Sequence, residues 1–379
     1  MTTEKTTRIL LVRSAGRCAV CYRELLISET TWRDVYLGER AHIVGRSTSP
    51  GSPRGQHHLD ESSRDEPENL VLLCGTCHDD ADHQDNLDTL TVTHLRSMKA
   101  AHEARIAQIL SIPPGNNTAV LRMHGVIGAN GAHVDRAAAG AAVIERGRYA
   151  RFPLSHDISG VEIDLRRQSD PNPGNVAYYR TCQGIIDRVI DRQLAPAIEL
   201  GEIHHLSVFA LARWPLLVHL GLRVGDKVDS DIYQRHRATE GWAWPADGED
   251  NRFDWHLVRD GEGDEVVLVL SMSAAVHASE IPEGLTECAV YRITPAGDVT
   301  PHYDIIGTPD SLKSAERALR DVLADIEQHR KSTRNLHVLG AAPTSVCTSL
   351  GRALTAGVHP HVVLYDRVDA IYRPAMEVN

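Results

Sequence analysis

Four cysteines do more than any other residues to limit what the first hundred positions can fold into. They form two Cys-x-x-Cys pairs, Cys18/Cys21 and Cys74/Cys77, separated by about fifty residues. Each pair makes a tight turn that points two thiolates the same way, and two such pairs supply the four ligands of a tetrahedral zinc ion. Zinc would staple a segment too poor in apolar residues to hold itself together. Cys182, Cys288 and Cys347 are scattered and read as small buried side chains. Seven cysteines make an odd count, which does not suggest a disulfide framework.

The chain has 379 residues, enough for two or three domains, each with its own core. At 42% hydrophobic and 24% charged it reads as a soluble globular protein. No apolar run is long enough for a membrane helix, and the N-terminal stretch MTTEKTTRILLVRSAGRC has no signal-peptide core, so a cytoplasmic location is expected. The formal net charge of −11 argues against a broadly basic nucleic-acid coat. A local basic surface stays open, because attraction to phosphate acts within a Debye length of about 8–10 Å.

The segment GRSTSPGSPRGQHHLDESSRDEPEN is too rich in Gly, Ser, Pro and Asp to be a core element. A helix is predicted after it, with Val92, Leu95, Met98, Ile106 and Ile109 on one face. Pro113, Pro114 and Gly115 stop that helix and mark a boundary between a domain at 1–112 and a second at 118–379. The remainder alternates β-rich runs with helical patterns, which indicates an α/β fold with a largely parallel sheet. The helix over 310–330 is predicted with Asp310 as its N-cap. One stretch repeats: HLSVFALARWPLLVHLGLRV aligns without a gap with NLHVLGAAPTSVCTSLGRAL, and beyond it Tyr233 and Arg235 pair with Tyr365 and Arg367. Two fused α/β units would bring the carboxyl ends of their strands to a shared crevice, suited to a roughly twofold ligand.

Between the cysteine pairs lies GERAHIVGRS, with His42 in a short β-like run, followed by Asn69 and by His78 directly after Cys77. AHI, then NL, then CxxCH resembles the HNH nuclease family over roughly residues 10 to 90. The resemblance implies a small ββα-metal fold and phosphodiester hydrolysis. His42 matches the general base, a role a neutral imidazole suits near pH 7. Asn69 matches the residue that orients the base or holds the loop. His78 matches the metal-binding His, and Asp82 shares its helix face four residues on. Many relatives carry an acidic metal ligand just before the base; here that position is Ala41. The second ligand is therefore expected to be Asp82, with Glu39, His57 or Asp60 as alternatives, and the cation Mg2+ or Mn2+. Arg46 and Arg54 are candidate phosphate contacts.

The stretch from roughly 118 to 379 resembles the SAVED domain, a sensor of two fused CARF-like units, on HLSVFALARWPLLVHLG, YQRHR with GWAWP, and LHVLGAAPTSVCTSLGRAL with VVLYDRV. HNH–SAVED proteins are effectors in cyclic-oligonucleotide-based anti-phage signalling (CBASS). The resemblance implies a cyclic di- or trinucleotide made by a partner cyclase, ligand-driven assembly into a homodimer or higher homo-oligomer, and cleavage of double-stranded DNA. A cyclic nucleotide needs flat surfaces for bases and donors for phosphates. Tyr179, Trp244 and Tyr365 are candidate stacking residues; Arg180, Arg235, His236 and Arg367 are candidate donors; Thr344 and Ser345 stand at a predicted helix N-terminus. Two other functions fit less of the sequence: a restriction-type nuclease that reads modified DNA, and a non-catalytic zinc module joined to a nucleotide sensor.

Overall fold

A computed structural model describes residues 4–28, 30–127, 130–150, 160–168, 175–355 and 357–378. The chain divides into two compact units, Met1–Pro113 and Pro114–Asn379.

The first unit contains α1 (Glu4–Arg13), β1 (Gly38–His42), β2 (Leu70–Cys74), α2 (Gly75–Asp82) and α3 (Val92–Ser111). β1 and β2 pair antiparallel, with Gly38 opposite Cys74 and His42 opposite Leu70, and β2 runs directly into α2. All five residues of β2 are buried. The face α3 turns inward carries the expected apolar positions and adds two polar ones. Leu95, Lys99 and His102 are its buried residues, while Val92, Met98, Ile106 and Ile109 are half-buried. Lys99 is accommodated by an ion pair with Glu103, and His102 Nε2 lies 3.4 Å from the Ser14 carbonyl. A buried cation is tolerated when an ion pair or several hydrogen bonds compensate its lost hydration.

The second unit contains two sheets of the same design. The first half holds β3 (Asn117–His124), the short β4 (Val126–Ile127) and β5 (Asn130–Gly131), and α4 (Arg136–Glu145). β6 (Tyr149–Ala150), β7 (Val161–Asp164), α5 (Val176–Val189) and α6 (Ala195–Glu199) come next. β8 (His205–Leu211), α7 (Trp214–Val224) and β9 (Asp229–Ile232) complete it. The second half holds β10 (Phe253–Arg259), β11 (Glu265–Ser271), β12 (Ala289–Pro295), α8 (Pro309–His329), β13 (Asn335–Ala341), α9 (Thr344–Ala353), β14 (His361–Val368) and β15 (Ile371–Val378). In the first half β7, β3, β8 and β9 lie side by side, all parallel. In the second half β12, β11, β13 and β14 do the same. Both orders are second, first, third, fourth in chain sequence. β10 and β15 extend the second sheet antiparallel at its two edges. The mixed α/β architecture expected from the alternation is present, and the aligned repeat is a structural duplication.

The repeat also defines how the halves join. α7 and α9 pack against one another through their aligned glycines. A Cβ on Gly221 would stand 1.9 Å from the Thr348 carbonyl oxygen, and one on Gly351 would stand 1.9 Å from that of Val218. Val218 and Thr348 are themselves equivalent positions of the repeat, so the contact is reciprocal. Leu216, Leu217, Leu220, Val346 and Leu350 around it are fully buried. Each such side chain contributes about 1.5–3 kcal/mol by leaving water.

The N-cap of α8 is Thr308 rather than Asp310. Its Oγ1 accepts from the Ser311 N–H at 3.0 Å, because Pro309 takes the first helical position. Asp310 instead pairs with Lys313 at 2.9 Å.

Two outcomes test this packing. Gly221→Ala or Gly351→Ala should cost about 1–3 kcal/mol or more in urea unfolding, because backbone must move. Gly140→Ala in α4, where nothing lies within 4 Å, should instead stabilise by about 0.5–1 kcal/mol. Equal effects at all three sites would contradict the packing. The second outcome concerns pH. Burial holds the imidazoles of His124, His205, His219 and His236 below their ordinary range. The unfolded chain therefore takes up protons below about pH 6.5 that the folded chain resists. Stability should be fully present above that pH and fall as pH drops through it. A urea midpoint at pH 5.5 equal to that at pH 7.5 would contradict this.

Candidate functional site

The first unit brings the four paired cysteines together. Their Sγ atoms all lie within 4.8 Å of one another, with Cys21 and Cys74 at 3.7 Å. A tetrahedron with metal–sulfur bonds of about 2.3 Å has edges of about 3.8 Å, so the set fits a thiolate-bound zinc ion. Among the described residues no other cluster of three or more metal-capable side chains converges. Cys18 sits in a turn closed by Tyr22 N–H to the Cys18 carbonyl at 3.0 Å, with Tyr22 at φ 59°. Burial and then the neighbouring sulfurs push the Cys21 and Cys77 thiols up. At Cys18 the N–H groups of Cys21 and Cys74 outweigh burial and hold the thiol below its usual range.

His42, at the end of β1, has Nε2 2.9 Å from Asp65 Oδ1. Asn69 clamps the chain that follows His42. Its Oδ1 accepts from Val44 N–H, and its Nδ2 donates to the carbonyls of Val44 and Arg64, all at 2.9 Å. Asn69 is buried and its contacts are spent on backbone, so its place in the structure is loop-holding. His78, in the first turn of α2, is flanked on opposite ring nitrogens. Nδ1 meets Glu39 at 2.5 Å, and Nε2 lies 3.4 Å from Asp82 Oδ2. Two ligands of an octahedral ion lie about 3 Å apart, so His78 Nε2 and Asp82 fit as neighbours on one cation. Glu39 does not share that edge. It holds the other nitrogen, as a carboxylate that orients a metal-binding imidazole does. Asp82, then Glu39, raises the His78 imidazole to about 9 against the opposing effect of burial. Burial pushes the Asp82 carboxyl up, but His78 and Arg54 outweigh it and hold it below the usual carboxylate range.

Arg54 is a strut, not an exposed phosphate contact. Its guanidinium donates to the carbonyls of Ile43 at 2.9 Å, Ala81 at 2.6 Å and His42 at 3.3 Å, and pairs with Asp82. One buried cation thus ties the strand end bearing His42 to the helix end bearing Asp82. His57 and His58 stack on each other at 4.1 Å, and His57 bonds locally to Leu59 N–H. Asp65 and Arg54 were missed in these roles because both sit in a polar loop whose path no periodicity reveals.

In the second unit a cavity of about 580 Å³ lies at the carboxyl ends of the strands of both halves. Leu211 follows from β8, Ala341 to Thr344 from β13, and Gln234, Arg235 and Arg237 from the end of β9. Of the nine residues expected at a ligand, Arg235 and Thr344 line it. Ser345 stands behind the α9 N-terminus, where Gln234 Oε1 accepts from its hydroxyl at 2.7 Å and its N–H at 3.2 Å. His236 is buried and packs edge-on to Trp244 at 5.2 Å, and Trp244 itself lines a separate, small cavity. Tyr179 is fully buried with its hydroxyl donating to Asp366. Tyr365 is buried with its hydroxyl 3.1 Å from His337 Nδ1. Arg367 pairs with Glu280, and Arg180 faces a separate cavity beside β15. Tyr179, Tyr365 and Arg367 are spent on packing or ion pairs, and none of these last four lines the crevice. The exposed aromatic surface at its mouth is Tyr303, with the Arg237 guanidinium 4.0 Å over its ring. Gln234 and Arg237 lie within YQRHR, one and two positions from residues already singled out; nothing in PHYDIIG flagged Tyr303.

The twofold likeness stops at the crevice floor. Gln234 is the repeat equivalent of Asp366. Gln234 reaches from the first half to the N-terminus of α9, while Asp366 reaches from the second half to Arg213, the residue before α7, at 3.5 Å. The α9 end meets a neutral amide beside an open cavity. The α7 end is filled by an Arg213–Asp366–Tyr179 cluster, with Arg213 also 5.2 Å over the Tyr178 ring.

Metal-site roles separate by substitution. Cys77→Ser should lower bound zinc and destabilise the first unit, read as zinc content and protease sensitivity. Glu39→Gln should keep zinc content but weaken Mn2+ binding about 10- to 100-fold. Unchanged Mn2+ affinity in Glu39→Gln would show that Glu39 does not orient a ligand.

A family model described as the SMODS-associated and fused to various effectors sensor domain, SAVED, matches residues 186–378, which is 193 of 379. The match begins inside α5, although the first sheet takes β3 as a central strand. No curated protein sequence matches this chain. Among solved structures it is similar to the Acinetobacter baumannii Cap4 SAVED/CARF-domain containing receptor with the cyclic trinucleotide 3'3'3'-cAAA: 17% identity, 59% of this chain and 50% of that chain covered, TM-score 0.45. The same receptor with 2'3'3'-cAAA gives 13% identity, 76% and 55% coverage and a TM-score of 0.46. The Moraxella osloensis Cap4 receptor gives 13%, 86% and 71%, and 0.41. The chain spans about half the length of the A. baumannii structures it matches. No helix among the described residues is long and apolar enough to cross a membrane. With more than half of its length matched by the family model, and with a duplicated α/β unit there, the chain belongs to the SAVED family.

Proposed function

We propose that the chain is an effector of a cyclic-oligonucleotide-based anti-phage signalling system. In this reading it is an HNH-type endonuclease that cuts double-stranded DNA with little sequence specificity. A cyclic di- or trinucleotide in the SAVED unit switches it on. The observation that carries the nuclease half is the β-β-α arrangement: His42 ends β1 opposite Leu70, and β2 leads into α2 with His78 and Asp82 one turn apart. The family match and the crevice at the strands' carboxyl ends carry the sensor half.

Each residue then has a task. Cys18, Cys21, Cys74 and Cys77 hold zinc and give the unit its fold. His78 and Asp82 would hold Mg2+ or Mn2+, which would supply charge stabilisation to the phosphate and the leaving oxygen. His42 takes the proton of the attacking water as its oxygen bonds to phosphorus and the P–O bond to the leaving strand breaks. Asn69 keeps the chain after His42 fixed. In the sensor, Arg235 and Arg237 supply donors to phosphates, Tyr303 supplies a stacking face, and Thr344 stands at the α9 N-terminus. The mismatch between the α7 and α9 ends favours a ligand without twofold symmetry, against the sequence expectation. Ligand-driven assembly of several copies would raise the weak DNA affinity of an acidic chain by avidity.

Plasmid cleavage with Mg2+ tests this, using wild type and His42→Ala with and without a panel of cyclic di- and trinucleotides. Wild type should cut with one ligand or a few, and His42→Ala should not cut with any. Arg235→Ala should raise the half-activating ligand concentration about tenfold or more while leaving the saturated rate unchanged. Cutting without ligand would remove the switch. No cutting with any ligand would favour the non-catalytic zinc module, the reading that Ala41 supports by standing where an acidic metal ligand is expected immediately before His42 in the chain.

A further inference from the structure

The loop between β1 and β2 is built around a buried arginine that, among the described residues, pairs with no carboxylate. Arg64 is 1% exposed, and its guanidinium donates to the carbonyls of Gly45 at 2.7 Å, Leu59 at 3.1 Å and His57 at 3.2 Å. Its own carbonyl accepts from Asn69 Nδ2 at 2.9 Å. A fully buried cation satisfied by three carbonyls on two separate stretches of backbone, Gly45 and His57–Leu59, fixes both at once, because losing any contact leaves charge or carbonyl uncompensated. Position 64 is therefore among the most tightly held in the loop, and the next residue inherits that placement. That residue is Asp65, whose Oδ1 is 2.9 Å from His42 Nε2. The two side chains are 21% and 26% exposed, partly shielded from water. The bond to His42 holds the Asp65 carboxyl below its usual range.

An ionised carboxylate can only accept hydrogen bonds. The imidazole nitrogen facing it must then carry hydrogen, and in the neutral ring the other nitrogen carries the lone pair. We infer that Asp65 is a positioning residue, which fixes His42 as the Nε2–H tautomer and leaves Nδ1 as the bare nitrogen that accepts a proton. The inference rests on the nuclease reading for what Nδ1 accepts from, and on the Asp65–His42 geometry for everything else. It also explains the shape of the loop. Arg64, Asn69 and the two short turns at Glu61–Ser63 and Pro67–Asn69 bring a carboxylate from a polar stretch back to the end of β1. Asp65 touches neither DNA nor reacting atoms in this role; it acts through His42. Without it the ring would rotate and exchange tautomers, and part of the population would present N–H where a lone pair is needed.

The test reads the tautomer and the rate separately. Full-length protein labelled with 15N-histidine gives ring-nitrogen shifts that distinguish N–H from bare nitrogen, and the His42→Gln spectrum identifies the His42 signals. Wild type at pH 8 should show hydrogen on Nε2 and none on Nδ1. Asp65→Asn is isosteric, but its amide can donate to Nε2 and favour the opposite tautomer. That variant should show hydrogen on Nδ1, fully or in part. Its kcat in ligand-activated plasmid cleavage should fall about 10- to 100-fold, with KM and zinc content unchanged. Asp65→Glu, which restores a carboxylate, should recover the wild-type tautomer and part of the rate. Hydrogen on Nδ1 in wild type, or an Asp65→Asn spectrum identical to wild type, overturns the inference. A normal rate in Asp65→Asn overturns it as well. A chain that cuts no DNA fails the nuclease reading instead, and the nitrogen spectra still decide whether Asp65 sets the tautomer.

Discussion

The contact on which the sensor unit depends is backbone against backbone. α7 and α9 approach so closely at Gly221 and Gly351 that no side chain fits between them, and each glycine faces the carbonyl three residues before the other. Helices this close bring their flanking leucines and valines into one core, and the buried cluster runs unbroken through both halves, from Ala119 to Val378. The two sheets are thereby held as a pair, with their strand ends facing a common crevice. A duplicated fold alone would not do this. It takes a reciprocal pair of residues small enough for the two copies to touch.

Symmetry in the core does not require symmetry at the surface, and the crevice shows where it was released. Core positions are coupled to many neighbours, so a change at Gly221 or Gly351 is felt throughout. Gln234 follows β9 and Asp366 lies near the end of β14, and each side chain is tied to a group of the other half. One became an amide that closes a helix N-terminus without charge; the other became a carboxylate matched to Arg213 and Tyr179. A carboxylate beside the cavity would repel phosphate, and an amide does not. The same fold thus carries one end open to an anion and one end already satisfied.

Much of this architecture could be read from the sequence, because it rests on apolar periodicity and on residues with a single dominant use. Strands such as HLSVFAL and NLHVLGAA, the repeat, and the paired cysteines fall in that class. The crevice was harder. Tyr179, Tyr365 and Arg367 have the right chemistry for a nucleotide, but a tyrosine that packs and a tyrosine that stacks on a ligand are written the same way. Burial decides between them, and burial comes from tertiary packing. Arg54 and Arg64 were illegible for the opposite reason. They lie in a segment rich in Gly, Ser and Pro, where arginine suggests solvent or phosphate, and only the folded loop reveals that carbonyls surround them.

Those two arginines answer a problem set by composition. The buried apolar cluster of the first unit has eleven members among the described residues, two of them from the four-cysteine cluster, too few to order a long polar loop by hydrophobic burial alone. Guanidinium groups with five donors in a rigid fork can organise such a loop, because each one satisfies several carbonyls that would otherwise be buried unpaired. Arg64 shapes the side that carries Asp65 toward His42. Arg54 shapes the side that joins His42 to Asp82, and in doing so it shares a carboxylate that a divalent cation would also need. Each oxygen of that carboxylate has its own partner: Oδ1 faces Arg54 and Oδ2 faces His78. His78 would therefore be able to share the Asp82 carboxylate with a cation without taking the oxygen that Arg54 holds. The polar loop then does for His42 and Asp82 what a larger core would do elsewhere: it fixes their positions.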